Sequence, residues 1–505
     1  MGVDIYWTTV LALVPLVAIV AGHRAIPRLL FRKNRQEEKL VGHSDDDGAA
    51  WKFRRTFLQV YLLVMGSEWL QGPYMYSLFR NEKNLDEGTV SLLYICMYAS
   101  AAISAFFTGY VADKVGRRAA CLVFCGIHSL ASLSACLDRL ELLILGRVLG
   151  GIGVTLLWTA FESWMVAEYN ARGFSQSSSF SLGTMFGLMT TTNCITAVLA
   201  GVLGHCVVLA LGSKADPFMV GVALDFGAAI LILRTWNENR DNVANTKMDT
   251  LQGQQSEEVL QRPGLDRLAI SSLKDGRIWA LSFVSCCFEG TVFLLMFFWP
   301  GTLQEARNLE HPDANETIPY GVTFAAFMAV MALGALLFNT ISRKADWEYN
   351  KEEREGKNSG ILTPTQLLAM ALLLSASSLL IVALTRKETD LFVAFMLFEA
   401  CNGVYVPNMA YHRGVIVSDA GRSQIYSTMN IPLFVFVIVA LHTTGNTGGE
   451  NNKQIIFILC ATLLFLAALV ATFWLDTELR PSEFQEISGS DLDDLESKTD
   501  GRSRA

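Results

Sequence analysis

Stretches of roughly 18–25 residues with few or no charges recur almost from end to end of this 505-residue chain. Nothing else in the sequence limits the fold as strongly. In hydrocarbon a backbone must satisfy its own N–H and C=O groups, as a helix or as a closed barrel. These segments are too long and too evenly apolar for barrel strands, so they read as membrane-spanning helices. Thirteen spans are expected. The first lies near 4–22, and six more lie near 56–79, 89–112, 117–137, 140–166, 176–204 and 216–234. After a polar stretch, another six lie near 278–299, 319–342, 363–385, 390–412, 424–444 and 454–475. The first span lacks a basic start and a clear cleavage site, so it reads as an uncleaved anchor rather than a signal peptide.

The polar segments divide the chain. Residues 1–55 hold the extra span and a basic linker, 56–235 and 278–475 hold six spans each, 236–277 is a central loop, and 476–505 is an acidic tail. Six spans, a loop and six more is the layout of a two-halved transporter. Charge orients it. Residues 23–55 carry nine Lys/Arg and 235–277 carry six, whereas "GTLQEARNLEHPDANETIP" has one arginine against four acids. The positive-inside rule therefore puts both basic loops and the C-terminus in the cytoplasm and the N-terminus outside. Asn315, in the sequon Asn315-Glu316-Thr317, then falls on the outer side, where glycosylation occurs. A plasma-membrane location is expected.

Several classes drop out. Most of the ten cysteines lie inside apolar runs, and no C-x-x-C pair or i, i+4 histidine pair has metal-site spacing, so no metal is expected. A basic stripe for nucleic acid is missing, as are a phosphate-binding G-x-x-x-x-G-K-[ST] loop and any hydrolase or kinase signature. The chain reads as neither an enzyme nor a cofactor protein. Its partners are a small solute and the lipid bilayer.

"GYVADKVGRRAA", residues 109–120, carries Gly109, Asp113, Gly116, Arg117 and Arg118 between two spans. Glycines allow a tight turn, and the acid can pair with the arginines, holding helices in one state and releasing them in another. This string resembles the loop signature of the major facilitator superfamily, and "LGRVLGGIGV" resembles its fourth-helix pattern. With "EWLQGPYMYSLF", "LFEACNGVYVPNM" and a leading extra span, the chain resembles the molybdate-anion transporter family over nearly its whole length. The resemblance implies an all-α fold, two six-helix bundles plus one N-terminal helix, and uptake of molybdate by alternating access.

An ionisable group inside a span is functional or paired. Glu68 sits mid-span, with Gln71 and Met75 on the same helix face and Gly72-Pro73 able to open the backbone. Either it faces a central cavity, or it is protonated and bonded to a neighbouring helix. Arg147, Gly151, Trp158 and Glu162 form one stripe, with Arg147 and Glu162 about 22 Å apart along the axis. Arg147 offers an always-charged planar fork for an anion, or else a salt bridge to a carboxylate such as Glu68. In the second half Glu289 parallels Glu68, and Glu399, Asn402, Met409 and Arg413 form another stripe, with Arg413 expected to snorkel. Asn193, Asp225 and Asn430 add polar groups. Carboxylates left ionised repel a dianion, so either some are protonated, implying a coupled proton, or they are locked against Arg147. A sugar or organic-anion transporter, with Trp69, Trp158, Tyr405 and Gln71 as contacts, and a non-transporting receptor or scaffold are the alternatives.

Overall fold

The computed structural model describes residues 5–34, 44–174, 182–238, 275–312, 317–355, 363–416, 422–447 and 450–475. Among the described residues there is no strand. Thirteen long helices follow one another: α1 (Ile5–Asn34), α2 (Ser44–Gln71), α3 (Glu87–Val115), α4 (Arg117–Ala135), α5 (Leu140–Ala171), α6 (Leu182–Leu211), α7 (Asp216–Thr235), α8 (Gly276–Glu310), α9 (Tyr320–Glu355), α10 (Pro364–Leu384), α11 (Glu388–Ile416), α12 (Arg422–Thr447) and α13 (Glu450–Trp474). Ten are long and apolar enough to cross a membrane. The other three expected spans fall on α1 and α12, whose apolar runs Ile5–Ile19 and Ile431–Thr443 are shorter, and on α2, which has a charged lead-in before its apolar part. The acidic tail, Asn315 and most of the central loop lie outside the described residues.

Two boundaries differ from expectation. Helix α9 runs on to Glu355 through "SRKADWEYNKEERE", where a loop was expected, because Ala, Glu, Lys and Arg favour helix once a preceding span has nucleated it. Likewise α3 continues to Val115, so Gly109 and Asp113 are helical and the turn to α4 is Gly116 alone. Gly116 has φ +120°, a conformation open to glycine and strained for other residues.

Dense packing within α2–α7 and within α8–α13 defines two groups of six. Between the groups, α3 packs on α12 and α6 on α9. The second helix of each group thus meets the fifth of the other, which is the relation two similar halves make around a two-fold axis. The described contacts between groups gather at one end, where α2 stops and α9 begins. There the backbones touch: a Cβ added to Gly321 would fall 2.3 Å from the Gly201 carbonyl oxygen and 2.4 Å from the Tyr74 hydroxyl. One apolar core crosses this junction, joining Tyr74, Tyr76, Tyr94 and Tyr98 to Phe297, Trp299 and Phe324. A second, built on Phe53, Phe57, Phe124, Trp164 and Trp236, stays within the first group at the opposite end.

Ions reinforce the joined end. Lys453 of α13 bonds Glu305 of α8 at 2.5 Å and Glu87 of α3 at 3.2 Å, linking both groups. Helix α1 packs on α9. Its Tyr6 hydroxyl donates to Glu388 at 2.6 Å, and its Trp7 ring lies 5.6 Å from that of His205 on α6.

Gly321→Val is expected to wedge the groups apart at a cost of about 1–3 kcal/mol. In a thermal melt of the detergent-purified protein it should lower Tm by several degrees. Gly187→Ala, where a Cβ meets nothing within 4 Å, should leave Tm unchanged or raised. Equal melting of the two variants would contradict the close approach.

Candidate functional site

Gly72-Pro73 shapes the wall of the first group. Proline has no N–H to continue the ladder, so α2 gives way to a 3₁₀ turn over Gly72–Tyr74, one more α-turn, and a π-turn over Leu78–Glu82. This broken stretch brings Met75 and Phe79 against Arg147 of α5. Arg147 is 3% exposed; one guanidinium nitrogen lies 3.0 Å from the Met75 sulfur and the carbon of its head lies 5.6 Å from the Phe79 ring centre. Among the described residues no carboxylate is within ion-pair distance of it. The salt bridge to Glu68, one of the two readings of Arg147, is therefore not formed.

Glu68 instead faces α4, with Oε2 3.1 Å from Nε2 of His128, whose Nδ1 lies 2.7 Å from Oδ2 of Asp225 on α7. Sequence reasoning missed His128. It is one polar residue in "LVFCGIHSLASL", and the rule that flagged Asp225 as an intramembrane titratable group applies to it equally. Gln71 is also turned inward: its amide donates to Ser132 Oγ at 2.8 Å and to the Ser67 carbonyl at 3.2 Å. It braces α2 on α4 and does not face a cavity.

Asn193 accepts a bond from the Trp69 indole at 2.7 Å, and the Trp69 ring lies 5.7 Å from Phe324 of the second group. These three carry a polar contact up to the seam between groups. Trp158 is 52% exposed and Glu162 is exposed, although both share the Arg147 stripe. Glu162 interacts electrostatically with Tyr61 on α2.

In the second group Arg413 does not snorkel. Its guanidinium bonds Oε1 of Glu289 at 2.6 Å and the Ser285 hydroxyl, and the Tyr405 hydroxyl donates to the same carboxylate oxygen at 3.1 Å. A carboxylate at matching depth on α8 gives the arginine a partner inside the protein. Glu399 is fully buried, takes a bond from Asn402 at 3.0 Å on Oε2, and has no hydrogen bond at Oε1 among the described residues. At the far end of the first group, the Arg118 side chain caps α7 through the Leu233 carbonyl at 2.9 Å, and its backbone N–H donates to Glu238. Arg117 precedes it in the first turn of α4.

Two other features do not suit an anion path. A cavity of about 690 Å³ between α3, α4 and α5 is walled by Ile103, Phe107, Val123, Ile152 and Leu156, and its hydroxyls on Ser100 and Ser104 are already bonded to α5. Glu310, His311 and Glu388 converge, but Glu388 is taken by Arg307 and Tyr6, which leaves a poor cation site.

Residues 16–352 match the model of a family described as sugar transporters with 12 transmembrane segments, a branch of the major facilitator superfamily. The chain belongs to the major facilitator superfamily. It is 29% identical to a molybdate-anion transporter of Takifugu rubripes over 468 residues, covering 87% of this chain and 90% of the relative. A molybdate-anion transporter of Danio rerio is 27% identical, with 88% and 91% covered. An auto-inhibited POT family peptide transporter superposes with a TM-score of 0.62 at 13% identity, covering 85% of this chain and 97% of that one. Like its superfamily, the chain is a multi-pass membrane transporter and not an enzyme.

The Glu289–Arg413 pair invites a double-mutant cycle. Removing either partner takes the opposite charge from a half-buried ion, so Glu289→Ala and Arg413→Ala should each destabilise more than an exposed substitution. The double variant should recover about 1 kcal/mol or more of their sum in denaturation of the purified protein. Strict additivity would mean the pair is not formed.

Proposed function

We infer that this transporter takes up molybdate by alternating access, with Arg147 as the group that meets the anion. The observation that carries this reading is a buried arginine with no carboxylate partner among the described residues. An arginine inside a span costs about 2.5–3.5 kcal/mol or more. A structural arginine is normally matched by an acid, as Arg413 is by Glu289. Arg147 is enclosed by Met75 and Phe79 of the first group, and Met75 is a soft contact that a dianion can displace. Its planar fork suits the paired oxygens of a tetrahedral oxyanion. The two molybdate-anion relatives, covered over nearly their full length, support the substrate.

Two halves related by a pseudo-two-fold, joined at one end, fit a rocking exchange between inward- and outward-facing states. The charge of the loops supports an N-terminus outside and a C-terminus in the cytoplasm.

The test is uptake by the purified protein in vesicles across molybdate, tungstate, sulfate and a sugar panel. Molybdate should be carried and competed by the other oxyanions. Arg147→Met should slow it about tenfold or more, because a bond to a charged group is worth about 1.5–3 kcal/mol. Arg147→Lys should retain part of the rate. Uptake of sugars alone would favour the description of the matched family, and unchanged uptake by Arg147→Met would remove this residue from the path.

A further inference from the structure

We propose that Glu68, His128 and Asp225 form a proton-binding site, and that the proton it takes up is the co-substrate of anion transport. The second half of this statement rests on the transport reading above; the first half does not.

Three helices build the site. The His128 ring of α4 is clamped between Asp225 Oδ2 of α7 at 2.7 Å on Nδ1 and Glu68 Oε2 of α2 at 3.1 Å on Nε2. Phe124 stacks on the ring at 5.2 Å, 13° from parallel, so the imidazole is held flat. Ser67 Oγ lies 3.2 Å from Nδ1 and gives its own proton to the Gly221 carbonyl. Ser129 Oγ approaches Asp225 Oδ2 at 3.4 Å. Asp225 Oδ1 has no bond among the described residues, so the ring is the main counterweight to its charge.

Proton counting follows from these contacts. Each ring nitrogen faces a carboxylate oxygen at hydrogen-bond distance, and a bare nitrogen lone pair facing a carboxylate is repulsive. Each contact therefore needs a proton between its two heavy atoms. A neutral imidazole supplies one. The second sits either on the ring, as imidazolium, or on Glu68. In both descriptions the cluster holds one net negative charge, and removing that proton leaves two. The described geometry is that of the protonated cluster.

Exposure shows where the proton exchanges. The His128 and Asp225 side chains are 6% and 0% exposed, while Glu68 is 29% exposed. Glu68 is the member of the cluster open to proton exchange. Deprotonation puts a second negative charge on α2, whose broken continuation carries Met75 to the Arg147 guanidinium, and Glu68 and Arg147 interact electrostatically. Other titratable neighbours do not fill that role. Cys125 is a thiol on α4 itself, Glu162 of α5 works against Tyr61, and Glu87 of α3 is held by Lys453. The protonated cluster leaves Arg147 to the incoming anion. The deprotonated cluster competes for Arg147 and repels the dianion. Proton and anion thus enter together, and the proton leaves by the same carboxylate.

Two measurements on the full-length protein decide the matter. In vesicles enclosing a pH dye, molybdate flux through the wild type should carry protons with it and slow as pH rises. Glu68→Gln keeps the shape of the protonated carboxyl, so protons moved per molybdate should fall about tenfold or more and the pH dependence should flatten. Molybdate flux without proton movement in the wild type would overturn the co-substrate role. The second measurement needs no transport: ¹⁵N NMR of the histidine rings, with the His128 signal assigned by its loss in His128→Asn. Both ring nitrogens should read as protonated or strongly hydrogen-bonded, and Glu68→Gln and Asp225→Asn should each shift the signal. A signal indifferent to both variants would overturn the proton site. A wild type that carries no oxyanion would overturn the transport reading while the resonance still judged the site.

Discussion

Hydrocarbon gives an ionised side chain no water, so each one must find its counterpart inside the protein or be held for something that arrives. Most charges described within the bundle follow the first course. Arg413 is matched by Glu289, His128 by two acids, and Lys453 by acids from both groups. Arg147 does not. It rests on a sulfur and an aromatic face, a weak substitute for a carboxylate. The contrast between one arginine satisfied by the fold and one left waiting organises the functional reading of the whole bundle.

The two groups of six use different chemistry at corresponding places. Glu68 and Glu289 stand in the first helix of each group, yet one partners a histidine and the other an arginine. A histidine can gain or lose a proton near neutral pH, whereas an arginine cannot. Pseudo-symmetry of the backbone therefore does not extend to the partners of these two carboxylates.

Much of the fold was legible in the sequence because runs of some 20 apolar residues allow few other structures. The two-group division followed from where charge accumulates. Helix partners were harder to read. Glu68 and Arg147 could be placed inside spans from the sequence, but which way Glu68 turns depends on packing among α2, α4 and α7, which spacing along one helix does not encode. The same holds for Gln71, turned onto Ser132, and for Arg413, whose partner comes from another helix. The Arg147 stripe shows a related limit. Its residues share one face of α5, but neighbours cover only part of that face, so Arg147 is enclosed while Trp158 is half bare. His128 was available to sequence reasoning and was passed over because an isolated histidine looks innocuous among leucines and serines.

Helix α1 stands outside the two-fold relation, yet it touches both sides of it: Tyr6 reaches Glu388 in one group and Trp7 meets His205 in the other. A thirteenth helix so placed acts as a hasp across a hinge. For the pinched end to gape, one of those grips has to let go, so two aromatic handholds add their strength to the seam between the groups.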